Sequence, residues 1–576
     1  MANAIGIAIQ RQIIYTRAQG GKQQMTNKRV ATVNGACGNK INATVSLDAR
    51  GTPIVGSFVT IQSGTDVILG RIVEVELKNP IHDDDLFAPL IMQKGRLPFW
   101  SGDVDIERAK VEILGVMDVG TMTRIPLRAN AASGTEIFPA DRAAIDLFSI
   151  EKQHFLVLGT IPNSGGLPQR LINRHCGEHS DKNGRDLGGH GEAQHIGIFG
   201  QNGSGKTVLL TMLIAGRLAA HPQMGLLMPD TSGDLADPAR HSRGPFRWNY
   251  AEVLRAANVE IERIPIEDIR LTATSTLKEK LKPLLVQRIN MHPNNAERLA
   301  DMIVDALFGT DDVNPTILTT DNVLQQAFEN IAHCYSGTAQ KKQKTEEIEA
   351  LRSTNRRAIF DRDLAELRAF FDGRYEIRNL VRDVLENGRK IVLDMHSISH
   401  KDHRFVMSEL IKRLVNHSVK MFRSENRTSN AIVVLDEGQR WVPEGKDDSE
   451  GLSDVIQDGF RTTRKYGIGW FIVAQSPAGL SNRVIRECRT WFFGRNLGIG
   501  ADQKHLESIL GQDGAAAYQQ LAIQGDYFWV CAGQDNNLAT GSTYFSLHPF
   551  GGNATQAFIE ANQHIFAAPR VIAAAE

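Results

Sequence analysis

A chain of 576 residues exceeds what one hydrophobic core organises, so roughly two to four domains are expected, and 42% hydrophobic with 23% charged residues is the balance of a globular protein. Acidic and basic residues nearly cancel, 66 against 65, which argues against a globally basic DNA-coating protein and leaves room for a local basic channel. Five scattered cysteines with no CxxC pair argue against a zinc or disulfide framework, and no apolar run reaches the ~18–20 residues of a membrane span. The opening MANAIGIAIQRQ lacks a basic segment followed by a long apolar one, so a cytoplasmic protein without a membrane partner is expected.

From about Gly6 to Ile161 the pattern is short and strand-like. Ser57–Gln62 and Arg71–Glu76 mix β-branched and polar residues near period two, and Val111–Val116 and Phe155–Gly159 continue the series. Strands so spaced, with glycine punctuation, predict a small β-barrel over 1–161 that hides its sheet edges. Residues 162–194 are rich in Gly, Asn, Asp and His; their spacing matches no standard metal set, and a solvated linker is expected. His195 is placed weakly near a ligand.

The apolar run Ile196-Gly197-Ile198-Phe199 leads into Gly200-Gln201-Asn202-Gly203-Ser204-Gly205-Lys206-Thr207, and an apolar helical segment follows to about Ala220. This is G-x-x-x-x-G-K-[ST] with a strand before it and a helix after it, the context in which the pattern binds phosphate. The glycines let several N–H groups approach an anion, and the helix start adds the positive end of its dipole. Gly200 to Thr207, with Val208, are therefore assigned to ATP, Lys206 to its β- and γ-phosphates and Thr207 to Mg²⁺.

Met224–Met228 reads as a buried parallel strand ending in Pro229-Asp230-Thr231-Ser232-Gly233-Asp234. Asp230 and Asp234 either face the ligand or form the turn; both readings stand. Residues 195–249 are the first part of an ATPase core, 250–388 a helical insertion, and 389–548 the second part, with strands at Arg389–Asp394 and Ala431–Leu435 separated by a helix over about 402–422. Asp436 and Glu437 end the latter strand. Downstream of a phosphate loop, Asp436 is expected to hold Mg²⁺ and Glu437 to orient and deprotonate the attacking water. Gln475 ends the strand Gly469–Ala474, where an amide can sense the γ-phosphate; Arg461 and Arg464 precede it, and their plainer reading is a solvated helix face. The tail 549–576 carries a short helical pattern.

Together, GQNGSGKT, DTSGD, VVLDEGQRWVPEG and RTTRKYGIGWFIVAQSP resemble the HerA class of DNA translocases, in the FtsK–HerA branch of RecA-like ATPases. The resemblance implies an α/β RecA-like P-loop core behind a HAS-barrel-like domain. It implies Glu437 as catalytic carboxylate, Asp436 as metal support, Gln475 as sensor, and an arginine finger in trans from the segment holding Arg461 and Arg464, with Arg495 a lesser candidate. It further implies a homo-hexamer passing double-stranded DNA through a central pore. A partner nuclease (NurA-like) or a defence effector, such as a sirtuin-like NADase, would dock on the barrel face. A scaffold whose ATP turnover is secondary and a conjugation or secretion coupling ATPase are the alternatives.

Overall fold

The computed structural model describes residues 28–80, 92–93, 104–180, 184–233, 235, 247–310, 312–353, 356–395, 400–445, 451–522, 527–538, 542–547 and 553–566. The first residues of the predicted barrel, Asp234 and the end of the tail lie outside the described residues.

Strands β1 (Ala31–Cys37), β2 (Lys40–Val45), β3 (Phe58–Ser63), β4 (Asp66–Lys78), β5 (Ile106–Asp118), β6 (Thr123–Ile125) and β7 (Glu136–Pro139) form one antiparallel sheet. Its order is β2-β1-β7-β3-β4-β5, and pairing of β2 with β5 closes it, leaving β6 appended to β5. Alternate residues such as Val33, Ile41, Val59, Ile61, Ile68 and Val111 fill the interior. The interior described is thus a packed core, and closure pairs β2 and β5, which would otherwise be edges.

The second sheet contains β8 (Phe155–Thr160), β9 (Pro168–Ile172), β10 (Ile196–Phe199), β11 (Gly225–Asp230), β12 (Glu262–Pro265), β15 (Lys390–Asp394), β16 (Ala431–Leu435), β17 (Ile468–Ala474), β18 (Thr490–Phe493), β19 (Phe528–Gly533) and β20 (Ser542–Ser546). The short strands β13 (Ile269–Arg270) and β14 (Tyr375–Glu376) pair apart from it. Its order is β12-β15-β11-β16-β17-β10-β18-β19-β20-β8-β9. The run from β12 to β18 is parallel and the remainder antiparallel. Parallel strands covered on both faces need unbroken apolar runs, and Ala431–Leu435 supplies one. Ile432 and Val434 pack toward the helix Lys206–Ala220, while Val433 and Leu435 enter the core on the other face.

Three expectations are corrected here. Phe155–Gly159 does not continue the barrel: β8 pairs with β9 and β20, and its Leu156 rests on Gly216 of the helix Lys206–Ala220, where a Cβ would lie 2.4 Å from it. The segment 162–194 is not a plain linker either. It contributes β9, and His175, His179 and His221 bond backbone carbonyls while Arg174 clamps Glu151 and Asp186. Finally, the helical insertion does not begin at 250. Strand β12 pairs in register with β15, Ile264 opposite Leu393, as an edge strand that tolerates Pro265, so the helices that stand apart from the sheet begin at Thr274.

Barrel and core are joined by buried polar groups. Arg71, 1% exposed, donates to the Ser542 carbonyl at 3.1 Å, pairs with Glu112 at 2.5 Å and lies 4.4 Å over the Tyr544 ring. Asn537 exchanges bonds with the Glu151 backbone at 2.7 and 2.9 Å, and Arg124 donates to the Leu538 carbonyl. Beneath them Arg217 and Asp535 form a wholly buried pair at 3.3 Å, and burial pushes the Asp535 carboxyl up to about 6. Removing one partner strands the other in an apolar interior. Arg217→Ala is therefore expected to cost about 3–5 kcal/mol, read as a lowered melting temperature, with Arg217→Met/Asp535→Asn recovering most of the loss.

Candidate nucleotide site

Because β11, β16, β17, β10 and β18 are parallel neighbours, their C-terminal ends share one edge, where α/β sheets bind ligands. That edge collects Gly200 to Val208 after β10, Thr231 after β11, Asp436 and Glu437 after β16, Gln475 after β17, and Gly494 and Arg495 after β18. The loop is pinned between its neighbours: Gly200 N–H donates to the Ala474 carbonyl, Gln201 N–H to that of Arg495, and Gly494 N–H to that of Phe199.

Within the loop, Gly203 and Gly205 have φ of 80° and 88°, left-handed values at which a side chain is disfavoured. A Cβ on Gly205 would also lie 2.5 Å from the Tyr527 ring. Gly205 precedes the helix and no side chain caps its first turn, so those N–H groups remain available to an anion. Ser204 Oγ is buried without a hydrogen-bond partner. Lys206 Nζ donates to the Gly200 and Gln201 carbonyls at 2.7 and 3.2 Å, and burial lowers its pKa against the opposing pull of Asp436 and Glu437.

Burial pushes the Asp436 carboxyl up to about 6, opposed by the Glu437 N–H it accepts and reinforced by the charges of Glu437 and Asp230. A divalent cation would relieve this crowding of negative charge. The Asp436 carboxylate and the Thr207 hydroxyl are hard oxygen donors of the kind Mg²⁺ prefers. Glu437 takes φ 50°, ψ 51°, and its Oε2 lies 2.5 Å from Arg440 Nε and 3.4 Å from the Thr231 hydroxyl.

Other predicted residues fall elsewhere. Asp230 is 1% exposed and accepts from the N–H groups of Ser232, Gly233 and Leu235 and the Ser232 hydroxyl, so its carboxylate shapes its own turn, and its charge bears on Asp436. His195 lies at the start of β10, the opposite edge, and is fully buried. Its Nε2 donates to the Phe460 carbonyl, its Nδ1 accepts from Trp470 N–H, and burial lowers its pKa to about 4, so it is a neutral core residue. Arg461 and Arg464 also lie away from their own phosphate loop. Arg461 pairs with Asp458 at the surface, while Arg464 pairs with Glu192 and its carbonyl accepts from Ala193, just before β10.

Of the three arginines considered, Arg495 is the one beside the loop of its own chain, with a guanidinium nitrogen 3.2 Å from where a Cβ on Gly203 would stand. The signal was present in the sequence, since Gly494-Arg495 ends an apolar strand as Asp436-Glu437 does. Thr231 and Arg440 lay inside the motifs DTSGD and VVLDEGQRWVPEG without being singled out, whereas Tyr527 had no comparable signal, because its approach to Gly205 is set by packing between distant segments.

Residues 193–414 match the family described as Helicase HerA, central domain. No curated protein matches the chain. Among solved structures, the plasmid coupling protein TrwB with the GTP analogue GDPNP is similar at 14% identity, covering 69% of this chain and 95% of that one, with a TM-score of 0.36. VirB4 of Thermoanaerobacter pseudethanolicus is similar at 12% identity over 69% and 97%, TM-score 0.36. The genome packaging NTPase B204 of Sulfolobus turreted icosahedral virus 2 follows at 9% over 62% and 97%, TM-score 0.27. Among the described residues no helix is long and apolar enough to cross a membrane.

Proposed function

We propose that this chain, a HerA-type ATPase of the FtsK–HerA branch through its residues 193–414, is a ring-forming translocase or helicase that hydrolyses ATP between subunits to move double-stranded DNA. The observation that carries the reading is the convergence of a phosphate loop, an acidic pair and a strand-end glutamine on one sheet edge.

In this reading the loop N–H groups from Gly200 onward and the helix start cradle the phosphates, and Lys206 leaves its two carbonyls for the β- and γ-oxygens. Thr207 and Asp436 would hold Mg²⁺, which when bound would supply positive charge to offset that of the phosphates. Glu437 orients a water and accepts its proton as the water oxygen bonds to the γ-phosphorus, the bridging P–O bond breaks and ADP leaves. Gln475 reports the presence of the γ-phosphate. The positions of Arg461 and Arg464, away from their own loop, suit a cation delivered to another subunit of a homo-hexamer, while Arg495 acts on its own loop.

DNA in a central pore would be gripped through phosphates, without sequence preference and with strong salt dependence. The barrel, closed by the pairing of β2 with β5, is the face on which a nuclease or defence effector would dock. Light scattering and ATPase assays test this. Expected are a multiple of the 63.6 kDa chain mass and ATPase stimulated severalfold by duplex DNA. A monomer with full turnover that ignores DNA would overturn the proposal.

A further inference from the structure

The resting position of Glu437 is determined by its neighbours. Asp436 follows strand β16, Glu437 takes a left-handed backbone that residues with a side chain seldom adopt, and Gly438–Arg440 closes a 3-10 turn. The turn is firmly built. Arg440 N–H donates to the Glu437 carbonyl at 2.7 Å, Trp441 Nε1 to the Asp436 carbonyl at 2.8 Å, and a Cβ on Gly438 would lie 2.6 Å from Ile472. This geometry brings the Arg440 guanidinium back over the carboxylate three residues earlier, Nε to Oε2 2.5 Å, with the Thr231 hydroxyl on the same oxygen at 3.4 Å. From the α-helical segment His400–Glu425, Arg404 donates to the Arg440 carbonyl at 2.7 Å and steadies the turn from outside.

The catalytic carboxylate is therefore tied to a cation of its own chain, just as Lys206 is tied to loop carbonyls. A guanidinium on Oε2 fixes the direction of the carboxylate and draws on its charge, which lowers its basicity toward a water proton. Both partners of the pair are about a third to two-fifths exposed, 34% and 43%, so the contact is one that thermal motion and a competing anion can open.

We propose that Arg440 is a positioning residue that restrains Glu437 in the nucleotide-free enzyme, so that the Arg440–Glu437 pair must open before Glu437 can hold the attacking water. This rests on the assignment of Glu437 as the catalytic base.

The test is steady-state hydrolysis of Mg-ATP by the full chain without DNA, comparing wild type, Arg440→Gln, Arg440→Lys and Glu437→Gln, with the mass of each preparation measured by light scattering. Arg440→Gln is expected to raise kcat roughly two- to fivefold, the range that loss of a half-exposed ion pair allows, with KM changed less than about twofold. Arg440→Lys, which keeps a cation, should fall between Arg440→Gln and wild type. An unchanged or lower kcat in Arg440→Gln at wild-type mass would overturn the restraint, and so would loss of assembly in that variant, which would make Arg440 a subunit contact. The two readings separate through Glu437→Gln: full turnover there removes the catalytic base itself, whereas an inactive Glu437→Gln beside an unresponsive Arg440→Gln removes the restraint alone.

Discussion

Replacing Glu437 by Gln is expected to lower kcat by about 10²–10⁴-fold while leaving nucleotide binding intact. The amide keeps the size of the side chain and an oxygen for Arg440, so the 3-10 turn Gly438–Arg440 should persist. It cannot accept the proton of the attacking water. Removing one negative charge from beside Asp436 and Asp230 should also ease the approach of a triphosphate, so the dissociation constant for ATP should hold or fall. Rapid-quench hydrolysis with equilibrium binding of a labelled nucleotide checks both parts. A variant that binds and hydrolyses as wild type would place the base elsewhere, and one that no longer binds would assign Glu437 to the ligand rather than to the water.

Lys206→Ala has the opposite signature. In the proposed site its ammonium is the loop's point charge for the β- and γ-phosphates, and burial lowers its pKa and raises the cost of leaving it unpaired. Deleting it should lower kcat/KM by about 10²–10³-fold or more through weakened binding as well as slower chemistry. Stability should not suffer, since the bonds Lys206 makes are to two carbonyls of its own loop. Titration of ATP with a parallel melting curve checks this: binding lost at an unchanged melting temperature is the expected pair, and tight binding retained in Lys206→Ala would remove the phosphate-loop assignment. If both outcomes hold, the two substitutions divide the proposed site into a binding half after β10 and a hydrolytic half after β16, two strands separated in the sheet by β17.

The parts of the site legible in the sequence are those whose chemistry is local. Gly200 to Thr207 carries its own glycine spacing, lysine and hydroxyl, and Ala431 to Glu437 shows an apolar run ended by two acids, so each reports its function within about ten residues. Parallel strands then place their ends together whatever lies between them. Asp230 shows the limit of that rule. It stands at the right strand end, but its carboxylate accepts from Ser232, Gly233 and Leu235 of the following turn, a competition decided by backbone that the residue types do not disclose.

Sheet membership was not legible where strands resemble one another. Phe155–Thr160 has the length and alternation of a barrel strand, yet the small face of Gly216 lets the helix after the phosphate loop seat Leu156 and draws that strand into the core sheet. The residues around Gly203 and Gly205 were equally hidden, because Arg495 and Tyr527 arrive from 293 and 322 residues farther along the chain, from Asn202 and Gly205 respectively.

The sequence by itself determined the class of chemistry: a P-loop, an acidic strand end and a polar strand end in the order of a HerA-type core, since each depends on short-range spacing. Only the tertiary structure decided which charges meet. It set Arg71 on Glu112, Arg217 on Asp535 and Arg495 beside Gly203, because such contacts require approach within a few ångströms and residues far apart in the chain reach it by packing one element against another.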